Sequence, residues 1–571
     1  MKVQKTQIRT VATLTEGVFQ AREILKECSK NKSCPVVSSR KLQGIVNAHQ
    51  RYAYDVIVYV GLARYLRVKQ RVEIQAELRN EYGIKLSVGT VSNLCDRFLL
   101  SLESLHMKRA PALKAAMEGG YTLHVDATCE RGKGATLVCL DGWRGWVLAA
   151  GRIPSENADS VRPLVNKTVD LFGDPVGTMR DLSDAIAKAI EPLGERGVVD
   201  LACHYHFVSA VGTKLFDFPY SKLRTIFRTS GIKKTLRTLH RELRHYIATS
   251  NHEGRFGVGE VRENLLALVL WILEGDGKKQ PTFPFGLPLL GFVHRCRQVN
   301  QYVDLWMPSP RTQVERRALR HLKNVIGDIE ERLACTNSVE TLEQALEPFS
   351  ELRDILRITN GELLRTESCS YQATLPSVEA SILEKIEADL NDYIVDLEIK
   401  VPTVGKKVCN PHPCAVILSY LKRYGSKLFG HPVRLDDTGA VLAVMERTNN
   451  VAEHFFARGS QRLRRRLGRK HIGHDLEQQP AQALLTANLL HPDYVRILCG
   501  SLENLPLAFA QLDSTNDLSS QLDRTNRHAK TFKLVRILLR RNEEANGAVK
   551  SIPRFIPGRQ QTTDIVNPTV S

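Results

Sequence analysis

The chain has 571 residues, 43% of them hydrophobic and 25% charged, so three to five folding units of a soluble, globular type are expected. Lys plus Arg exceeds Asp plus Glu, 80 against 62, and a pI near 9.4 calls for a polyanionic partner, nucleic acid or an anionic membrane. No apolar run nears the ~18 residues of a membrane span, and the opening MKVQKTQIRTVATLTEGVF lacks the apolar core of a signal peptide, which favours nucleic acid and an intracellular, reducing setting.

Residues 1–50 show no clear period and hold Cys28 and Cys34, six apart. From 51 to 115 the pattern is helical. Within it, RVEIQAELRNEYGIKLSVGTVSNLCDRFLLSL (71–102) reads as a helix-turn-helix. Ile74 and Leu78 share a face. Gly83 can take the left-handed conformation that ends a helix, and Ser87 can cap the next. Val91, Leu94 and Phe98 supply its buried stripe. Such a unit sets its second helix, starting near Ser87 and Thr90, into a DNA groove. The plainer reading is a helical hairpin.

Residues 119–208 change character. YTLHVDATC, ATLVCL and WVLAAGRI read as strands with turns at RGKG and DGWRG. SENADSVRPLVNKTVDLFG is a capped helix, PVGTMRD a short strand, SDAIAKAIEPLG a helix and VVDLACHYHFV a further strand. The order β-β-β-α-β-α-β is that of an RNase H-like α/β core with a mixed sheet. One more helix is needed on that sheet, and none is expected directly after it. Instead 209–430 has helical periodicity and reads as an all-α insertion. Residues 431–475 return with two short strands around an Asp-Thr-Gly turn, then RTNNVAEHFFARGSQRLRRRLGRK. Helices are expected over 476–545, and 546–571 reads as a disordered tail. Cys409, His412 and Cys414 lack paired ligand spacing, as do Cys28 and Cys34, so ordinary cysteines are favoured over zinc sites.

Two-metal phosphoryl chemistry needs carboxylates converging from distant segments. Asp126 sits inside an apolar strand, where a charge is costly unless paired or metal-bound. Asp181 ends the fourth strand. Its rival Asp184 is better explained as a cap or first-turn acid. Glu453 falls in the first turn of a helix that Thr448, Asn449 or Asn450 can cap, while its rival Glu446 precedes that cap. Phe455, Phe456 and Leu463 can seat this helix on the sheet. Arg458, Arg462, Arg464, Arg465, Arg466, Arg469 and Lys470 cannot all share one face, so some track a phosphate backbone and others meet solvent or acids.

Together, VDATCERGKG, RDLSDAIAKAI, ACHYHFV and RTNNVAEHFFARGSQRLRRRLGRK resemble DDE transposases of bacterial insertion sequences, of the Mutator-type group. The resemblance spans Tyr121 to Lys470. It implies an RNase H-like catalytic domain split by the all-α insertion, with Asp126, Asp181 and Glu453 as catalytic metal ligands for two Mg²⁺ or Mn²⁺ ions. Cys203 and His206 match the group's Cys-x-x-His pair and would support the site. It further implies double-stranded DNA as partner, a homodimer or higher oligomer on DNA, and a cytoplasmic, nucleoid-associated place in a prokaryote. A domesticated DNA-binding regulator, or an RNase H-like nuclease without strand transfer, are the other readings.

Overall fold

The computed structural model describes residues 2–29, 36–37, 39–48, 50–128, 135–249, 261–277, 281–307, 313–334, 337–358, 376–401 and 412–514. Cys34, Cys409, the RGKG turn and the expected C-terminal tail lie outside them.

Residues 2–29 are more ordered than their sequence suggests. Strands β1 (Lys2–Thr13) and β2 (Gly17–Glu27) form a long antiparallel ribbon, running from Thr13↔Gly17 out to Lys2↔Glu27. Its base is fastened by a backbone bridge from Ala12 to Tyr52, and Val11, Val46 and Ala53 form a small core beneath it. A single helical turn, α1 (Arg40–Gln43), and helix α2 (Tyr54–Tyr65) follow.

Helix α3 (Arg71–Tyr82) opens with a capping box between Gln70 and Glu73 and stops at Gly83, whose φ of 66° is left-handed. Helix α4 (Val88–Ala116) opens on Ser87, whose side chain accepts a hydrogen bond from the Thr90 amide at 3.1 Å. Ile74, Leu78, Val91, Leu94 and Phe98 are all buried. At 29 residues, α4 runs well past 102 and reaches the central sheet.

That sheet holds β3 (Thr122–Thr128), β4 (Ala135–Asp141), β5 (Trp146–Ile153), β6 (Gly177–Arg180) and β7 (Val199–Ala202). The spatial order is β5-β4-β3-β6-β7, antiparallel among β3, β4 and β5 and parallel from β3 through β6 to β7. Helices α5 (Ala158–Phe172) and α6 (Asp184–Gly194) make the crossovers. Along α5, Val161, Val165, Val169 and Phe172 recur at helical spacing and share a core with Leu123 and Val125 of β3 and Leu137 of β4. All three strand residues are fully buried, so Leu137→Ala costs about 2–5 kcal/mol.

The expected strand VVDLACHYHFV is corrected. β7 ends at Ala202, and His204 opens helix α7 (His204–Ser230) with Cys203 at its N-cap. A short apolar run does not distinguish strand from buried helix. Here Phe207, Val208, Val211 and Leu215 follow a helical period into a second core. A helix therefore does follow the sheet directly, but it leads away into the insertion.

That core is built by α7, α8 (Ile232–Thr249), α9 (Val261–Glu274), α10 (Pro288–Trp306), α11 (Gln313–Ala334), α12 (Ser338–Ile355), α13 (Pro376–Lys400) and α14 (Pro413–Tyr424). Among the described residues this block contains helices and no strand. A hairpin, β8 (Val433–Leu435) and β9 (Val441–Val444), then turns where Asp436 Oδ1 accepts from the Thr438 and Ala440 amides at 2.8 Å. The chain returns as α15 (Asn450–Leu467), which lies across β3 and β4. It continues through α16 (Gly473–Gln478), α17 (Pro492–Cys499) and α18 (Leu505–Ser514). Asp513 Oδ2 accepts from Tyr54 Oη at 2.5 Å and Arg97 Nη2 at 2.8 Å, which ties the end of this region to α2 and α4. Among the described residues no helix is long and apolar enough to cross a membrane.

Candidate active site

Side chains alternate along a strand, so His124 and Asp126 share one face of β3, opposite Leu123 and Val125. The parallel register Leu123↔Thr178, His124↔Met179, continued two residues, brings Asp181 beside Asp126. Asp181 follows β6 directly, and its Oδ1 accepts from the Ser183 amide at 2.9 Å, which holds the carboxylate at the strand end. Glu453 enters from α15. Asp126, Asp181 and Glu453 are thus brought to one place.

The electrostatics agree with that convergence. The carboxyl of Asp126 is pushed up to about 7 by burial, and then by the negative fields of Asp181, Glu453 and Glu156. One backbone hydrogen bond, from the Ala127 amide at 2.8 Å, opposes the shift. Glu156 is a neighbour that sequence reasoning missed. It accepts from Ser183 Oγ at 2.6 Å, across the same strand end. Asp184 points elsewhere and pairs with Arg423 at 2.9 Å on the exposed surface.

Asn449 fixes where Glu453 stands. It occupies the N-cap of α15, but its side chain makes no capping hydrogen bond, contrary to the expected Asn cap. Instead it is fully buried, and its Oδ1 accepts from His124 Nδ1 at 3.0 Å. Its backbone amide donates to Cys203 Sγ at 3.3 Å, and its carbonyl accepts from the Glu453 amide at 3.1 Å. Cys203 donates its own amide to the Arg180 carbonyl at 2.9 Å. One residue therefore joins β3, the β7–α7 junction and α15. Burial holds the Cys203 thiol up at about 12, so it is a neutral hydrogen-bond partner rather than a thiolate ligand. His206, on the first turn of α7, puts Nε2 at 3.6 Å from Glu453 Oε1.

Behind Asp181, the buried Arg180 makes a two-pronged pair with Asp200, Nε to Oδ1 and Nη2 to Oδ2, both at 3.0 Å. Its Nη1 donates to the Asp181 carbonyl at 3.0 Å. Lys427, near the end of the insertion, donates to Asp200 Oδ2 at 2.7 Å. Although burial acts the other way, Arg180 and Lys427 hold the Asp200 carboxyl below its ordinary value. The loop carrying Asp181 is thereby braced from two parts of the chain.

The basic residues divide. Arg466 pairs with Glu73 of α3, and Arg469 Nη2 lies 3.6 Å from Asp475 Oδ1. Arg464 Nε donates to the Lys470 carbonyl at 3.2 Å. Arg458, Arg462 and Arg465 are exposed on α15. Phe455 and Phe456 pack partly buried against the main core. Ser87 and Thr90 stand at the start of α4, their hydroxyls 2.9 Å apart.

Among the described residues no group of three His, Cys, Asp or Glu side chains stands so as to hold a metal ion. The donors that converge are carboxylate oxygens, the type a hard divalent cation takes. Glu453 Oε1 is buried without a hydrogen-bond partner. Burial first, and then the like charges of Asp181, Glu453 and Glu156, raise the Asp126 carboxyl, a cost that a cation beside it would relieve. No protein-family model matches the chain, and no curated protein matches it.

Proposed function

We propose that this chain is a DNA transposase that cleaves and joins DNA strands by DDE chemistry, on an RNase H-like core split by an all-α insertion. The observation that carries this reading is the arrival of Asp126, Asp181 and Glu453 at one sheet edge from three distant segments. The strand order β5-β4-β3-β6-β7 supports the RNase H-like assignment. The α3–Gly83–Ser87–α4 geometry supports a helix-turn-helix that presents Ser87 and Thr90 to DNA.

Asp126 and Asp181 from the sheet and Glu453 from α15 would hold two Mg²⁺ or Mn²⁺ ions. When bound, these supply an activated attacking oxygen and a stabilised leaving oxygen for in-line displacement at phosphorus. His206 steadies the Glu453 carboxylate, and Asn449, held by His124 and Cys203, sets the turn from which it projects. Arg180 and Asp200 brace the loop of Asp181. Arg458, Arg462 and Arg465 grip the phosphate backbone, a contribution that weakens as salt rises. Joining two element ends calls for a homodimer or larger assembly on double-stranded DNA. The setting that follows is the nucleoid in a prokaryotic cytoplasm.

The test is cleavage and strand transfer in Mg²⁺ with DNA carrying the element's own ends. Asp126→Ala is expected to abolish both while end binding persists. Cleavage by purified Asp126→Ala protein would refute the site. Cleavage by the wild type without any joined product would leave a nuclease instead.

A further inference from the structure

The β1–β2 ribbon is a second DNA-reading element, we infer, with its outer face fitted to the major groove of a duplex. The inference does not depend on the carboxylate site.

The register divides the ribbon into two faces of opposite character. Pairs Lys2↔Glu27, Gln7↔Glu23, Arg9↔Ala21 and Val11↔Phe19 share one face. That face is docked. Val11 is buried, Phe19 and Ala21 pack on the small core, and Arg9 donates to the Asn47 carbonyl at 2.7 Å. Both strand carboxylates lie on it and are neutralised there, Glu23 by Arg9 at 3.1 Å and Glu27 by Lys2 at 3.3 Å.

Pairs Val3↔Lys26, Thr6↔Ile24, Ile8↔Arg22, Thr10↔Gln20 and Ala12↔Val18 make the other face. Beyond the buried Ala12 it is open, with Ile8 68% and Val3 57% exposed. It carries two cations and no carboxylate. An exposed β-branched face of this length calls for an occupant.

The charge pattern selects the occupant. Face-to-face stacking of two copies would desolvate Arg22 and Lys26 of both with no acid on either side, which is costly. A polyanion answers both cations. The major groove admits a two-stranded ribbon, and its code is read by this chemistry: Arg to guanine, Gln to adenine, Thr to either, and aliphatic groups to the thymine methyl.

The experiment uses the full-length protein and a random-sequence duplex library. The wild type is expected to enrich a preferred sequence. The triple variant Thr10→Ala/Gln20→Ala/Arg22→Ala should bind that sequence about tenfold or more weakly, and bind poly(dI-dC) within about threefold of wild type. Arg22→Lys keeps the charge but loses the two-pronged contact, so it should alter preference at one or two base pairs with little loss of overall affinity. Guanine N7 methylation protection should disappear at those positions in the triple variant. Enrichment of the same sequence with the same affinity by both variants overturns the proposal. So does a fall in mass by light scattering with DNA selection unchanged, which would make the face a contact between copies.

Discussion

His124 Nδ1 donates to Asn449 Oδ1 at 3.0 Å, with both residues fully buried. This bond spans the whole insertion, since His124 lies on the first strand of the sheet and Asn449 opens the helix that returns to it. Removing either partner leaves a buried polar group unsatisfied, a cost of about 1–3 kcal/mol. Asn449→Ala and His124→Ala are expected to lower the melting temperature by a few degrees and to slow DNA cleavage at least tenfold. End-DNA affinity should stay within about threefold. If cleavage persists at the wild-type rate in a destabilised Asn449→Ala protein, the bond is structural and does not position Glu453.

The two aspartates after β6 separate by experiment. Asp184 makes an exposed pair with Arg423, and such pairs are worth about 0–1 kcal/mol. Asp184→Asn should therefore leave cleavage and stability close to wild type. Asp181→Asn should remove cleavage, with the melting temperature little changed. Equal loss of cleavage in both variants would put the second acid in the wrong place.

Much of the central sheet was legible. WVLAAGRI became Trp146–Ile153 residue for residue, and ATLVCL became β4 with one residue added. The caps at Ser87 and the stop at Gly83 were equally readable because they rest on local backbone chemistry. The meeting of Asp126 with Asp181 was less so. It depends on the parallel pairing of β3 with β6, which no local pattern encodes. The ribbon of residues 2–27 was missed for a different reason. Polar Lys, Gln, Thr and Arg occupy both of its faces, so it shows no alternation of apolar with polar. His124 carried a signal that went unused: two residues before Asp126 in a strand places it on the same face.

In the proposed function the phosphate grip divides along α15. Arg458 and Arg462 are exposed, whereas Arg466 is held by Glu73 and Arg469 lies near Asp475. Each phosphate contact contributes roughly 0.9 to the slope of log affinity against log salt. Arg458→Ala/Arg462→Ala is expected to flatten that slope by about 2, and Arg466→Ala/Arg469→Ala by less than about 1. Fluorescence anisotropy with a labelled duplex over a salt series measures both. A larger effect from the second pair would reverse the assignment.

Acid sensitivity follows from a buried histidine away from the carboxylates. His106 Nε2 donates to the Leu148 carbonyl at 2.9 Å, and its Nδ1 accepts from Tyr494 Oη at 2.8 Å. Burial lowers its pKa from an ordinary 6.5 to about 4. Between those values the unfolded chain binds the proton and the folded chain does not, so stability falls as pH drops through this window. The full loss below it is about 3 kcal/mol, at roughly 1.4 kcal/mol per pKa unit. The buried His204 and His431 act with the same sign, lowered to about 3 and about 4. Melting temperature measured from pH 7 to 4.5 should fall steadily, and His106→Gln should flatten the fall. A profile unchanged by that substitution would remove His106 as a cause.

Helix α4 is uninterrupted from the turn after Gly83 to the edge of the central sheet. At 1.5 Å per residue, its 29 residues make a strut of roughly 43 Å. One end stands where bases are read in the proposed function, and the other is set in the core that carries the carboxylates. A strut of this kind works as a ruler. In the proposed function, reading and cutting would be held at a fixed distance, and the choice of which phosphate is broken would pass to the spacing built into the DNA.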